Sequence, residues 1–396
     1  MPFRSLVVQP ADSLLRLIGA YRADPRAHKI DLGVGVFRDD AGHTPVMLAV
    51  KQAEMRLIAT QDSKAYLGPE GDKGFTALLE PLVFGDTLPA DRRCGLQTPG
   101  GTGALRLGAE LLAKAGVRRI LVGQPSWANH APVFAAAGLT VVSHAAFDMA
   151  AQRIDLPAMR AAIGQAEAGD AILLHGCCHN PTGIDPDAGE WRAIADAVAD
   201  SRLIPFVDLA YQGLGDGMEA DALGTRTVLG AVSFGIVAYS CDKNFGLYRE
   251  RTGALWVSAP DADHRDVVLS NLLALARANW SMPPDHGAAT VRIVLEDEHL
   301  AADWRGELDG LRGRLQRLRA ELAAIGQAGS VDLAPLAQGK GMFATLPLSP
   351  GQIEWLRATH GIYMAGSGRI NIAGFAPGDI ARFGEALVDL GRAGVS

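Results

Sequence analysis

Four short apolar runs, at 119–123, 139–143, 171–175 and 203–207, alternate with helical patterns such as 190–199. Runs of that length bounded by turn residues read as buried strands. Strands alternating with helices form βαβ units, and these build a mostly parallel sheet with both faces covered. In such sheets ligands bind beyond the carboxyl ends of the strands. Here those ends carry Trp127, Asn180, Asp208 and Tyr211, and Lys243 follows a further apolar run at 232–238. Any one of them is explained by a loop residue without a role. A single site explains the set better.

The chain has 396 residues, too long for one compact core, so two domains are expected. We place a large domain at 45–305, a smaller α+β domain at 12–44 with 306–396, and an N-terminal arm at 1–11. Asp12 is placed to cap a helix near 13–21. Helices are also expected at 45–59, 73–84 and 104–115, from 261 to 295 with a break at 280–286, and at 298–326. The net charge of -7 does not favour nucleic acid or an anionic membrane as a partner. No apolar run is long enough to span a bilayer. The start Met-Pro-Phe-Arg-Ser-Leu lacks the apolar core of a signal peptide. The four cysteines show no C-x-x-C spacing and no zinc-site spacing, so a reduced cytoplasmic protein with no metal is expected.

The stretch Ala238-Tyr-Ser-Cys-Asp-Lys243 through Arg251 to Gly253 lies between two apolar runs. Burying a lysine charge is costly, so Lys243 should be paired or give up its proton readily. An uncharged lysine amine attacks carbonyls. Arg251 offers a planar fork to a phosphate, and Ser240 adds a hydroxyl. A solvated lysine in a plain loop fits this stretch alone equally well. The rest of the chain tips the balance. Gly100-Gly-Thr-Gly103 opens a helix, where backbone N–H groups and the dipole favour an anion. An amine with a phosphate clamp is what an enzyme holding pyridoxal 5′-phosphate (PLP) needs. Lys243 would hold the aldehyde and move the α-proton. Asp208 would keep the pyridine nitrogen protonated, Asn180 and Tyr211 would serve the ring oxygen, and Trp127 would stack on the ring. Arg369 would clamp a substrate carboxylate.

The motifs resemble those of the class I PLP-dependent aminotransferases, closest to the aromatic amino acid branch. They are Asp31-Leu-Gly-Val-Gly-Val, Gly101-Thr-Gly-Ala-Leu-Arg106, Pro125-Ser-Trp-x-Asn-His130, His179-Asn-Pro-Thr-Gly183, Asp208-x-Ala-Tyr-Gln-Gly213, Lys243-Asn-Phe-Gly-Leu-Tyr-x-Glu-Arg251 and Ser367-Gly-Arg-Ile-Asn-Ile-Ala-Gly374. They stand in the family's order along nearly the whole chain. The resemblance implies fold type I of the PLP-dependent transferases and a homodimer with active sites at the interface. It implies Lys243 as the Schiff-base lysine, with Asp208 backed by His130 at the pyridine nitrogen. Asn180 and Tyr211 are implied at the ring oxygen and Trp127 on the ring face. Gly101, Thr102, Ser240 and Arg251 are implied around the phosphate, with Tyr66 reaching it from a neighbouring subunit. For substrate it implies Arg369, Gly35, Trp127, Asn180 and, across the interface, Arg277.

Two positions depart from the pattern. Asp242 stands where the family usually has serine, and a carboxylate near a phosphate is repulsive. Gly100 replaces a frequent serine in the phosphate loop. Met282 and Ala65 stand where strictly dicarboxylate-specific relatives tend to have asparagine, which makes the substrate pocket roomier and more apolar. The expected activity is transfer of an amino group from aromatic and acidic L-amino acids to a 2-oxo acid such as 2-oxoglutarate. The alternative is an aspartate aminotransferase with little aromatic activity. Fold alone leaves open a PLP lyase or a non-catalytic relative.

Overall fold

The computed structural model describes residues 3, 6–8 and 13–395. The expected cap Asp12 lies outside them. Of the expected arm, Phe3, Leu6, Val7 and Val8 are described and exposed. The chain divides into two compact units. The larger comprises Pro45–Arg317 with Gln338–Met342, and the smaller comprises the chain up to Thr44, Leu318–Ala337 and the chain from Phe343 onward.

The larger unit is built on a seven-stranded sheet. Its strands are β1 (Arg93–Pro99), β2 (Arg119–Gln124), β3 (Thr140–Ala145), β4 (Ala171–His175), β5 (Ile204–Leu209), β6 (Gly235–Ser240) and β7 (Thr252–Ser258). They lie in the order β1-β7-β6-β5-β4-β2-β3. β7 runs antiparallel to both its neighbours. The other pairings are parallel. This is the mostly parallel α/β sheet that the strand–helix alternation calls for. β1 was not among the expected strands, because Arg93-Cys-Gly-Leu-Gln-Thr-Pro99 has neither alternation nor an apolar run. It is a strand because β7 pairs along all of it, from Thr252 opposite Pro99 to Ser258 opposite Arg93.

Alternate residues of the central strands feed opposite cores, as a period of two requires. Leu173 joins a cluster with Leu105, Phe134 and Phe206 on one face. Ile172 and Leu174 join Trp191, Ile194 and Val198 on the other. The helix Gly100–Lys114 lies on the first face and begins before the expected position 104. Gly108 lets it approach the sheet closely. A Cβ there would stand 2.5 Å from Cζ of Phe206 and 3.2 Å from Cγ2 of Ile236.

In the smaller unit, Ile30–Asp31 pairs in parallel with Ile362–Tyr363, and Phe343–Thr345 pairs antiparallel with Arg369–Asn371. Helices Pro350–His360 and Asp379–Ala393 belong to the same unit. Among the described residues no helix is long and apolar enough to cross a membrane.

The close approach at Gly108 is testable. Gly108→Ala should destabilise the protein by about 1–3 kcal/mol, the usual cost of overpacking a core. A urea midpoint equal to that of the unchanged protein would show that the helix has room to retreat.

Candidate active site

Asp208 lies within β5, in register with His175 of β4 on one side and Ala238 of β6 on the other. Its Oδ2 stands 3.0 Å from Nε2 of His130, a fully buried ring at the start of helix His130–Ala136. Nδ1 of His130 is 2.8 Å from Oγ of Ser126, and that hydroxyl is 3.2 Å from Nε2 of His175. One assignment satisfies every atom of this chain. His175 donates to Ser126, Ser126 donates to His130, and His130 donates to Asp208. Burial on its own would raise the carboxyl pKa. The His130 hydrogen bond, with the electrostatic pull of Lys243, outweighs it and holds Asp208 below the usual carboxylate value. Burial, with the nearby His130, pushes the pKa of His175 down to about 3 despite the pull of Asp208. His175 is therefore neutral, and its Nε2–H serves as the donor to Ser126. The ring of Trp127 meets that of His130 edge-on, with centroids 5.1 Å apart.

Across the site, Nδ2 of Asn180 donates to Oη of Tyr211 at 3.3 Å. Nζ of Lys243 lies 4.9 Å from the centre of the Tyr211 ring. The loop after Tyr211 is held by Asp221, whose carboxylate accepts the N–H groups of Gly213, Gly215 and Asp216 at 2.8–2.9 Å. Asp221 lies beside Cys177 and Cys178, which makes this a group of metal-ligand types that the sequence spacing did not suggest. The three backbone donors already give the carboxylate its task. None of the four cysteines forms a disulfide.

The connection from β6 to β7 carries the remaining groups. Ser240 is buried opposite Gly253. The helix Gly100–Lys114 has no side-chain cap at its N-terminus, so its first N–H groups are left to another acceptor. Gly100 has φ +72, and a Cβ there would lie 2.7 Å from Nη2 of Arg251. A Cβ on Gly101 would lie 3.0 Å from Cβ of Ser240. Thr102 stands in the same first turn. The absent side chains thus form a cradle bounded by a guanidinium, a hydroxyl and free helix N–H groups. That donor set suits a phosphate.

Tyr66 and Arg277 do not enter this buried cluster. Tyr66 is 92% exposed, and Arg277 is exposed with Nη1 donating to Oγ of Ser281 at 2.7 Å. The loop bearing Ala65 and Tyr66 meets Met282 through the Leu67 N–H, 3.1 Å from the thioether sulfur. In the smaller unit, Nη2 of Arg369 donates to the Gly33 carbonyl at 2.8 Å, and its guanidinium lies 4.6 Å from the centre of the Phe343 ring. Gly35 leaves room for that ring, since a Cβ on it would stand 3.0 Å from Cζ of Phe343. Sequence reasoning missed Ser126 and His175, although both stand where strands end in polar residues.

A parallel sheet with a carboxylate, an amine and a phosphate cradle at its strand ends defines an enzyme of the PLP-dependent fold type I. The chain matches the model of the aminotransferase class I and II family over residues 27–387, and it belongs to that family. It is 49% identical over 388 residues to the tyrosine aminotransferase of Rhizobium meliloti (strain 1021), covering 98% of this chain and 100% of that one. It is 42% identical over 392 residues to the aspartate aminotransferase of Salmonella typhi, covering 98% and 99%. Its fold matches that of the aromatic-amino-acid aminotransferase from Burkholderia pseudomallei covalently bound to pyridoxal phosphate. That match has a TM-score of 0.95 and 35% identity over 98% of this chain and 99% of the other. The protein is a PLP-dependent transaminase.

The neutral state of His175 has a consequence for stability. Its unfolded pKa is near the ordinary 6.5, and its folded one is about 3. Between those values the unfolded chain binds the extra proton, so stability falls as pH falls through that window. His175→Gln should flatten the dependence of unfolding free energy on pH between 5 and 6.5, by up to about 1.4 kcal/mol per pH unit. An unchanged slope would show that His175 takes up its proton in the folded protein as well.

Proposed function

We propose that this transaminase acts on aromatic as well as acidic L-amino acids, with a 2-oxo acid such as 2-oxoglutarate as acceptor. The observation that carries the substrate class is the contact of the Met282 thioether with the Leu67 N–H, two residues after Ala65, while exposed Arg277 bonds Ser281, the residue before Met282. An apolar rim tolerates an uncharged ring, and the guanidinium serves a side-chain carboxylate.

Within residues 45–305, PLP would be held by Lys243 at its carbonyl and by Asp208 at its ring nitrogen. Asn180 and Tyr211 would hold its ring oxygen, Trp127 its face, and Gly101, Thr102, Ser240 and Arg251 its phosphate. When bound, PLP supplies an electrophilic carbonyl and an electron sink. Lys243 carries the proton removed from the substrate Cα, since its amine is the basic group beside the Tyr211 ring. Asp208 keeps its negative charge through His130, so it can hold a proton on an adjacent ring nitrogen. Asn180 fixes the Tyr211 hydroxyl. In the smaller unit Arg369 and Gly35 would take the substrate's α-carboxylate, and in the larger unit Trp127 and Asn180 are further substrate-binding candidates. Tyr66 and Arg277 are exposed on this chain and would complete a second copy's site in a homodimer. A cytoplasmic setting is in keeping with four cysteines that form no disulfide.

A second reading, an aspartate aminotransferase with little aromatic activity, rests on Arg277 alone. The two are separated by titrating the visible cofactor band with phenylalanine and then with aspartate. Loss of the band with both is the expected result. Loss with aspartate alone would select the second reading. Lys243→Ala should lower turnover by about 10⁴-fold or more, the upper range for losing a positioned acid–base group. Turnover in the unchanged range would remove Lys243 from the reaction.

A further inference from the structure

The phosphate cradle contains an anion of its own. Oδ2 of Asp242 accepts from Nη1 of Arg251 at 2.5 Å. The same Nη1 donates to the Tyr248 carbonyl at 3.1 Å. The Asp242 side chain is 8% exposed and the Arg251 side chain 43%. The Asp242 N–H donates to Oγ of Ser240 at 3.2 Å, which ties the same residue to the second side-chain donor of the cradle. Oδ1 of Asp242 is buried and has no hydrogen-bond partner among the described residues. A buried acceptor without a donor costs the fold free energy. Asp242 is therefore not a group that folding alone favours at this place.

Charge counting gives the consequence. Arg251 is the cationic side chain that stands over Gly100, at the uncapped start of helix Gly100–Lys114. Asp242 cancels its formal charge and engages its Nη1. What faces Gly100 most closely is Nη2. A phosphate monoester brings a charge of about −1.5 to −2 near neutral pH. It therefore meets a cradle whose attraction rests on Nη2, hydroxyls and backbone N–H groups, with a carboxylate alongside.

We propose that Asp242 is a resident counter-anion of the phosphate cradle. It holds Arg251 in place by Nη1 and weakens the hold on the cofactor's phosphate, so this enzyme exchanges its cofactor faster than one with an uncharged residue at 242. The inference rests on the assignment of the cradle to the cofactor phosphate. Asp242 acts through Arg251 and is a positioning residue, not a catalytic one.

The test uses holoenzyme of the unchanged protein and of Asp242→Asn, Asp242→Ser and Asp242→Glu. Each is passed into buffer with excess inorganic phosphate, and loss of the visible cofactor band from the protein is timed. Inorganic phosphate binding to the cofactor-stripped protein is measured by calorimetry. Asp242→Asn keeps the shape and an acceptor oxygen but removes the charge. It should release cofactor about tenfold more slowly and bind inorganic phosphate about tenfold more tightly, as removal of one nearby like charge implies. Asp242→Glu keeps the charge and should release cofactor at close to the unchanged rate. Asp242→Ser provides a second uncharged variant should Asn perturb folding. Release that is unchanged or faster in the uncharged variants overturns the proposal, as does equal behaviour of Asn and Glu. An unchanged protein that shows no cofactor band and takes up no PLP would overturn both this inference and the cradle assignment beneath it.

Discussion

A carboxylate in the middle of a parallel sheet is the constraint around which this site is arranged. Asp208 is flanked in register by two strands, and its side chain is only 11% exposed. An ionised group there is costly unless something stabilises it in place. His130 does so directly, and Ser126 and His175 fix which ring nitrogen of His130 carries its proton. The contributing residues come from β4, from β5, from the segment after β2 and from the helix that follows. The parallel sheet must form before the carboxylate is stable as an anion. The electrostatics of the site and the topology of the fold are thus one problem.

Much of this was legible in the chain. The run 171–175 is a strand with those bounds, because four apolar residues set between Gly169-Asp170 and Gly176 leave little alternative. Lys243, Asp208 and Asn180 stood out because polar residues following apolar runs need a reason. β1 escaped because its strand character comes from β7, a partner more than a hundred residues away in the sequence, and not from its own composition. Ser126 and His175 escaped for a related reason. Neither is unusual where it stands in the chain, and their role appears only when β2 and β4 lie side by side. The helix expected from 104 starts at Gly100, because glycine-rich residues with poor propensity are helical here through contact with the strands beneath.

Asp242 shows what sequence alone leaves open. Its neighbours in the chain give a carboxylate beside a phosphate-seeking arginine, and either avoidance or engagement satisfies that description. The fold selects engagement: the backbone at Arg251 has φ +54, and the turn from Asp242 to Arg251 brings fork and carboxylate together. A residue type that repels the expected ligand is accommodated because it attracts the ligand's receptor.

The connection between β6 and β7 has a consequence for how the molecule assembles. Ser240, Lys243 and Arg251 all belong to one antiparallel hairpin, with Ser240 opposite Gly253. Closing so short a loop costs little chain entropy. The His130–Asp208 contact instead joins residues 78 positions apart. Contacts of that span form late in folding, after their loops are closed. The pairing of Arg251 with Asp242 is therefore local in the chain, whereas its approach to Gly100 and the His130–Asp208 contact wait on distant segments.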